Sequence, residues 1–85
     1  MYFVYILQCS DSTLYTGITS DLDRRVKEHN SSKLGAKYTH SRRPCKLVYS
    51  KEFTTRSEAQ IEESRIKKLP RSQKECVIAS NPLDF

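Results

Sequence analysis

The chain lacks long apolar runs. Within its 85 residues no apolar stretch approaches the roughly 20 residues that a helix needs to cross a bilayer, so no membrane-spanning segment is predicted. The apolar start, Met1 to Leu7, has neither a basic segment before it nor a small-residue cleavage site after it, and we interpret it as a first strand. Repeats and low-complexity linkers are also missing. The length fits a single domain, residues 1–85, with one modest core.

Cysteine is scarce and irregularly placed. The chain has 3 cysteines, Cys9, Cys45 and Cys76, with no C-x-x-C among them. An odd number at wide spacing argues against a disulfide framework and against a zinc site. We therefore expect a reducing compartment and a cytoplasmic location, with the cysteines acting as small core residues and not as nucleophiles.

Acidic residues are outnumbered by basic ones. The counts are 15 Lys+Arg and 10 Asp+Glu, which gives a formal net charge of +5 and a pI near 9.3. Such an excess attracts polyanions, although an ordinary solubilising surface would carry the same charge. Charge alone favours nucleic acid only modestly.

The residue pattern predicts an α/β (α+β) domain of order ββαβαα, with a small three-stranded antiparallel sheet packed by helices. Apolar, β-branched and aromatic residues indicate strands at 2–9, 14–19 and about 47–53. Helices are expected from the N-cap Ser20 to about Ser31, from the Thr55–Glu58 capping box to about Leu69, and from Arg71 to Ala79, with a basic loop over residues 32–46.

Two tyrosines, Tyr5 and Tyr15, stand on the first two predicted strands. A single strand tyrosine is usually a packing residue. Two on paired strands can converge on one face, but only if the strands pair with an even index sum, such as residue 7 opposite residue 15. Gly17, inside the second strand, predicts either a bulge or a close backbone approach.

Arg25 and His29 lie four residues apart on the first predicted helix and share one face, away from the apolar pair Leu22 and Val26. Arginine suits a phosphate because its planar guanidinium donates two hydrogen bonds and stays charged. Histidine can transfer a proton near neutral pH. A solvated helix face would show the same spacing.

Glu63 falls at the margin of the apolar face that Ala59 and Ile66 form on the second helix. There a carboxylate could bind Mg²⁺, which often takes one or two protein carboxylates and keeps several waters. Glu62 occupies the other margin, and helix geometry does not choose between them. The alternative role for Glu63 is an ion pair with Lys67 at i+4.

Basic residues form two clusters that we interpret as nucleic-acid contacts, since cations bind phosphates and an aromatic ring among them can stack on a base. A solvated basic loop is the alternative. The candidate contact residues are Lys33, Lys37, Tyr38, His40, Arg42, Arg43, Lys46, Arg65, Lys67 and Lys68.

These residues, in this order, resemble the GIY-YIG endonuclease family. The first motif is Val4-Tyr5-Ile6 and the second is Tyr15-Thr16-Gly17. The segment 23–29 resembles the family's catalytic helix, and the segment 63–68 resembles its metal-binding segment. The likeness covers residues 2 to about 80 and is greatest to small stand-alone bacterial members, which are similar to the nuclease module of the UvrC repair protein.

The resemblance implies a metal-dependent endonuclease that hydrolyses DNA, with structure-specific roles in repair or recombination. It implies a Mg²⁺ or Mn²⁺ ion on Glu63, which selects it over Glu62, and catalytic roles for Tyr5, Tyr15, Arg25 and His29. Tyr5 is then the general base or positions the water, and Tyr15 orients the phosphate.

The chain departs from the family pattern in three ways. Val-Tyr-Ile replaces the first motif's usual residues, Asn81 has no context matching the family's late asparagine, and we expect no second DNA-binding domain. We therefore expect a monomer whose targeting comes from a protein partner. A non-catalytic nucleic-acid-binding module of the same fold is the main alternative, a protein-interaction adaptor is another, and RNA remains open beside DNA as the substrate.

Overall fold

The computed structural model describes residues 1–31 and 42–80. Its three strands are β1 (Tyr2–Gln8), β2 (Leu14–Thr19) and β3 (Lys46–Phe53). Its helices are α1 (Leu22–Ser31), α2 (Arg56–Lys67) and α3 (Arg71–Ser80). The strands form one antiparallel sheet in the order β2-β1-β3, so the predicted fold class and the order ββαβαα are confirmed.

Strand β1 is the middle of the sheet, and both of its faces are covered. Val4 and Ile6 are buried in a core with the α2 residues Ala59 and Ile66. Because side chains alternate along a strand, Tyr5 and Leu7 point to the opposite face, where the α1 residues Leu22 and Val26 pack against their cluster. This arrangement explains the nearly continuous apolar sequence of β1, as expected for a central strand.

The pairing of β1 with β2 places Leu7 opposite Tyr15 and Tyr5 opposite Gly17. This is the register with an even index sum, so Tyr5 and Tyr15 share one face of the sheet. The same face is covered by α1, which carries Arg25 and His29.

Helix α1 begins one residue later than predicted, because its N-cap is Asp21. The Asp21 carboxylate accepts a hydrogen bond from the Arg24 backbone N–H at 3.1 Å, so Asp21 and not Ser20 caps the helix. Thr19 supports this turn, because its hydroxyl oxygen accepts from the Asp21 N–H at 3.1 Å. The predicted capping box of α2 is present, with reciprocal bonds between Thr55 and Glu58.

The cysteines divide into two kinds. Cys9 and Cys45 are free and buried, as predicted for small core residues. The same prediction is wrong for Cys76, which is free but exposed on α3, a helix with no buried residue. No helix in the described ranges is long and apolar enough to cross a membrane.

Candidate active site

The two tyrosines meet over a glycine. Their ring centroids are 6.3 Å apart. A Cβ atom on Gly17 would lie 2.6 Å from the Tyr5 hydroxyl and 3.2 Å from Cε1 of Tyr15, so no larger residue fits without displacing Tyr5. The predicted close approach at Gly17 is thus confirmed, whereas the register irregularity lies elsewhere, between Ile6 and Leu7 where β1 pairs with β3.

His29 completes a three-ring cluster. Its ring centroid lies 5.9 Å from that of Tyr5 and 5.0 Å from that of Tyr15. Its Nε2 and the Tyr5 hydroxyl are hydrogen-bonded at 2.9 Å. His29 is 0% exposed, so the alternative of a solvated helix face is wrong for this residue.

The surroundings keep His29 neutral. Burial lowers its pKa to about 4, and the positive charges of Arg25 and Arg43 act in the same direction. Glu28 opposes them without reversing the shift. At neutral pH His29 is therefore an uncharged imidazole, in which one ring nitrogen carries a hydrogen and the other is a hydrogen-bond acceptor.

The same surroundings keep Tyr5 protonated. Burial raises its pKa to about 12, and the hydrogen bond from Arg25, which acts the other way, only partly offsets this. The negative charge of Glu63 raises the pKa further. In the tautomer of the neutral imidazole that carries its hydrogen on Nδ1, Tyr5 is the donor in its bond to His29 Nε2.

Arg25 stands between the rings and solvent. Its Nη1 donates to the Glu28 carboxylate at 3.1 Å, and its side chain is 25% exposed. It also interacts with the Tyr5 hydroxyl, whose pKa it lowers. A guanidinium held by one carboxylate and still partly open to water can bind an incoming phosphate oxygen.

Glu63 and Glu62 face different neighbours. Glu63, whose side chain is 21% exposed, pairs with Lys67 Nζ at 3.5 Å, as the alternative role predicted, and its charge also reaches Tyr5. Glu62 bonds to Arg65, and its charge raises the pKa of Tyr49 instead. Of these two glutamates, Glu63 is the one whose charge acts on the pKa of Tyr5.

The donor set fits a hard divalent cation better than zinc. Among residues 1–31 and 42–80 no three His, Cys, Asp or Glu side chains are grouped to hold a metal ion by themselves. The partly exposed carboxylate of Glu63 offers oxygen ligands and leaves room for water and substrate. Mg²⁺ and Mn²⁺ accept such ligands, whereas structural zinc sites need four protein ligands.

Sequence reasoning missed Asn30, which fixes the end of α1. Its side-chain Nδ2 donates to the Cys45 carbonyl at 2.8 Å and to the Val26 carbonyl at 3.2 Å. Its Oδ1 accepts from the Cys45 N–H at 2.6 Å. The amide thereby pairs with the backbone before β3 and holds the neighbouring His29 over the sheet. No local pattern marks this role, because the partner lies 15 residues away.

Two arginines predicted to bind nucleic acid also hold the fold together. The Arg43 guanidinium donates to the carbonyls of Glu28 and His29 in the last turn of α1, where a cation is favourable. Arg42 pairs with Asp11 at 3.1 Å, and its carbonyl accepts from both the N–H and the hydroxyl of Ser10.

The remaining basic candidates lie at the surface or outside the described residues. Lys46 is exposed at the start of β3, and Lys68 is exposed at the C-cap of α2. Arg65 and Lys67 are also exposed on α2, each paired with a glutamate. The candidates outside the described residues are Lys33, Lys37, Tyr38 and His40, as is Asn81.

The family model of the GIY-YIG catalytic domain matches residues 1–75. The chain belongs to the GIY-YIG family. This match spans both tyrosine motifs, α1 and the Glu63 segment, and it identifies the domain as one of a nuclease family whose members generally use divalent metal ions.

GIY-YIG relatives match the chain over nearly its whole length. A UPF0213 protein of Syntrophus aciditrophicus is 51% identical over 80 residues, which cover 94% of this chain and 92% of that one. A UPF0213 protein of Desulfotalea psychrophila is 50% identical over 84 residues, or 99% of this chain and 76% of the relative. These names state no reaction.

Two solution NMR structures share the fold. A UPF0213 protein from Bacillus halodurans is 45% identical, with a TM-score of 0.60, and the match covers 93% of this chain and 84% of that one. A protein from E. faecalis is 43% identical, with a TM-score of 0.64, and the match covers 93% of this chain and 83% of that one.

Proposed function

We propose that this GIY-YIG domain is a metal-dependent endonuclease that hydrolyses DNA phosphodiester bonds. The observation that carries the proposal is the buried 2.9 Å hydrogen bond between the Tyr5 hydroxyl and His29 Nε2, with Arg25 beside it. A purely structural aromatic cluster would not need a phenol that is hydrogen-bonded to both a neutral imidazole and an arginine. Such an arrangement can move a proton next to a bound anion.

The proton path runs from the attacking water through Tyr5 to His29. Tyr5 donates its hydroxyl proton to Nε2 as it accepts a proton from the water, so no free phenolate is needed beforehand. In the free protein this transfer is uphill, because the pKa of Tyr5 is about 12 and that of His29 about 4. The pair therefore rests as a phenol and a neutral imidazole until substrate is bound.

Arg25 binds the scissile phosphate and the negative charge that develops on it in the transition state. The ion pair with Glu28 orients the guanidinium, and its partial exposure leaves it accessible to a phosphate. Tyr15, half-buried and 5.0 Å from the His29 ring between centroids, orients the phosphate from the β2 side.

Glu63 would hold the divalent cation, Mg²⁺ or Mn²⁺, with water and substrate oxygens as its other ligands. When bound, the ion would polarise the phosphate and stabilise the departing 3′ oxygen. Lys67 is within 3.5 Å of the same carboxylate and would have to yield part of its ion pair.

The test is nicking of branched, flap, duplex and single-stranded DNA with Mg²⁺ and with Mn²⁺, beside matched RNA substrates. Arg25→Ala should reduce the rate by roughly 10²–10³, the cost of losing one preorganised charge in the transition state. Arg24→Ala is the control, because Arg24 also approaches Glu28, at 3.8 Å, but its side chain is 67% exposed. Its rate should stay near that of the wild type.

Wild-type protein that cuts none of these substrates with either metal would overturn the proposal and indicate a non-catalytic binding module. Preference for branched or flap DNA would support a role in repair or recombination. We attribute finer targeting to a protein partner.

A further inference from the structure

Two buried cysteines sit opposite each other at one end of the sheet. Gln8 and Lys46 are the last register partners of β1 and β3. Cys9 follows Gln8 and Cys45 precedes Lys46, so the antiparallel pairing continues to place these two residues face to face. Each is 5% exposed, and their sulfur atoms are 3.4 Å apart.

Their backbone bonds show which kind of antiparallel pair they form. The Cys9 N–H donates to the Thr13 carbonyl and its carbonyl accepts from the Ser12 N–H, both at 2.9 Å. The N–H and carbonyl of Cys45 are both bonded to Asn30. The two cysteines therefore exchange no backbone hydrogen bonds with each other. Such opposed residues have Cα atoms about 4.5 Å apart, inside the range of roughly 4.4–6.8 Å that a disulfide requires.

We propose that Cys9 and Cys45 are a redox modification site that closes to an intramolecular disulfide when it meets a low-molecular-weight disulfide such as oxidised glutathione. One cysteine thiolate attacks a glutathione sulfur, the glutathione S–S bond breaks, and one glutathione thiolate leaves. The second cysteine thiolate then attacks the mixed disulfide at the protein sulfur and expels the second glutathione. The two protons lost by the cysteines go to the two glutathione thiolates, so the protein is oxidised by two electrons and glutathione is reduced.

The pair is near bonding distance but protected. The sulfur atoms need to approach from 3.4 Å to about 2.05 Å, which small rotations of the side chains can supply. Burial and the neighbouring Cys9 thiol raise the pKa of Cys45, so its thiolate is scarce. Oxidation should therefore be slow and should follow transient opening of this end of the sheet.

The bond would act on the candidate active site through α1. The chain between Cys9 and Cys45 contains β2 and α1, hence Tyr15, Arg25 and His29. The Cys45 backbone also binds Asn30, the neighbour of His29. Closing this loop should stabilise the fold by restricting the unfolded chain.

The test uses the full chain with Cys76→Ser, which removes the exposed thiol and its intermolecular side reactions. After equilibration with oxidised glutathione, the intact mass should fall by two hydrogens without a glutathione adduct. A non-reducing peptide map should link Cys9 to Cys45. The melting temperature should rise by roughly 10 °C and return to its starting value after reduction with dithiothreitol.

Cys9→Ser in the same Cys76→Ser background is the matched control, and it should gain no thermal stability from the oxidant. A Cys76→Ser protein that keeps both thiols at equilibrium, or that carries glutathione on them separately, would overturn the proposal. If the control fails to fold, the peptide map of the Cys76→Ser protein decides alone.

Discussion

The contact between Tyr5 and His29 is made of two groups that the fold keeps uncharged. Both side chains are almost wholly buried, His29 at 0% and Tyr5 at 1% exposure. The pKa of the phenol is raised and that of the imidazole is lowered, so each resists the charged form that catalysis would require of it. In the proposed mechanism, substrate binding therefore has to favour the charged forms of these two groups. Because their pKa values differ between the folded and unfolded protein, stability should also depend on pH without substrate.

Acid should destabilise the protein through His29. Its pKa falls from its ordinary value of 6.5 to about 4 on folding, so between these values the unfolded chain binds the extra proton. The free energy of unfolding should be highest above pH 6.5 and should decline as the pH falls towards 4. The loss is about 3 kcal/mol at most, since a tenfold change in proton affinity corresponds to about 1.4 kcal/mol.

Urea unfolding of the wild type and of His29→Gln, at pH 7 and at pH 4.5, measures this contribution. Carboxylates titrate in both proteins, so the decisive quantity is the difference between the two pH slopes. Glutamine cannot take up the proton, so the unfolding free energy of His29→Gln should change less between pH 7 and pH 4.5 than that of the wild type. Equal slopes would show that His29 titrates normally in the folded protein.

Metal binding should distinguish the two glutamates on α2. Mg²⁺ titration followed by NMR should shift signals near Glu63, and Glu63→Ala should abolish those shifts. Glu62→Ala is the matched control, since Glu62 contacts Arg65 and influences Tyr49 instead of Tyr5. Shifts that survive Glu63→Ala but vanish in Glu62→Ala would reverse the assignment.

At the scale of the element, α1 is positioned by contacts at its end. Asn30 and Arg43 join its last turn to the segment before β3, and both act through backbone groups. Helix α1 also packs Leu22 and Val26 on the sheet, but apolar contacts leave some freedom of rotation. The polar anchors fix that rotation and hence where His29 lies.

Asn30→Ala should therefore destabilise the fold by about 2–3 kcal/mol, because it removes three hydrogen bonds and leaves the Cys45 N–H and carbonyl without their partner. Asn30→Asp is the matched control. It can still accept from the Cys45 N–H but cannot donate to the carbonyl, so its loss should be intermediate.

Denaturant unfolding gives the two stability losses, and hydrogen exchange of the Cys45 amide reports the local bond. That amide should exchange fastest in Asn30→Ala. An unchanged exchange rate in Asn30→Ala would show that the anchor is unimportant.

Element order was predictable because it depends on local patterns. Continuous apolar sequence marked β1, and the Thr55–Glu58 capping box marked the start of α2. The N-cap of α1 was misplaced by one residue, since Ser20 and Asp21 are both good caps and only the fold chooses. The hydrogen bonds of Asn30 and the Cys9–Cys45 contact could not be predicted from the sequence, because each joins residues far apart in the chain.

The site was predictable in part for the same reason. Tyr5 and Tyr15 share a face because of the register between β1 and β2. The sequence does not determine that register, and the structure shows it. The burial of His29 was not predictable from its spacing to Arg25, because burial depends on how α1 lies on the sheet. Glu63 could be separated from Glu62 only by its neighbours across the fold.

At the scale of the whole molecule, the net charge of +5 and the candidate site have separable tasks. Affinity for a polyanion is spread over many phosphate contacts, each of which releases counterions. In the proposed mechanism, catalysis depends instead on a few groups around one phosphate, among them the Arg25 guanidinium. Variants should therefore divide into those that weaken binding and those that slow cleavage.

We expect Arg25→Ala to largely abolish cleavage while weakening DNA binding only mildly. We expect Lys68→Ala to weaken DNA binding mildly without slowing cleavage at saturating DNA. Lys68 is exposed and caps α2 through its backbone N–H, so alanine keeps the cap and removes only a surface charge. Losing one phosphate contact should lower the slope of log affinity against log salt by about one. At saturating DNA the Lys68→Ala rate should match the wild type, as titrations at several salt concentrations and single-turnover cleavage can show. If Arg25→Ala lost binding and cleavage in equal proportion, Arg25 would belong to the binding surface and not to the chemistry.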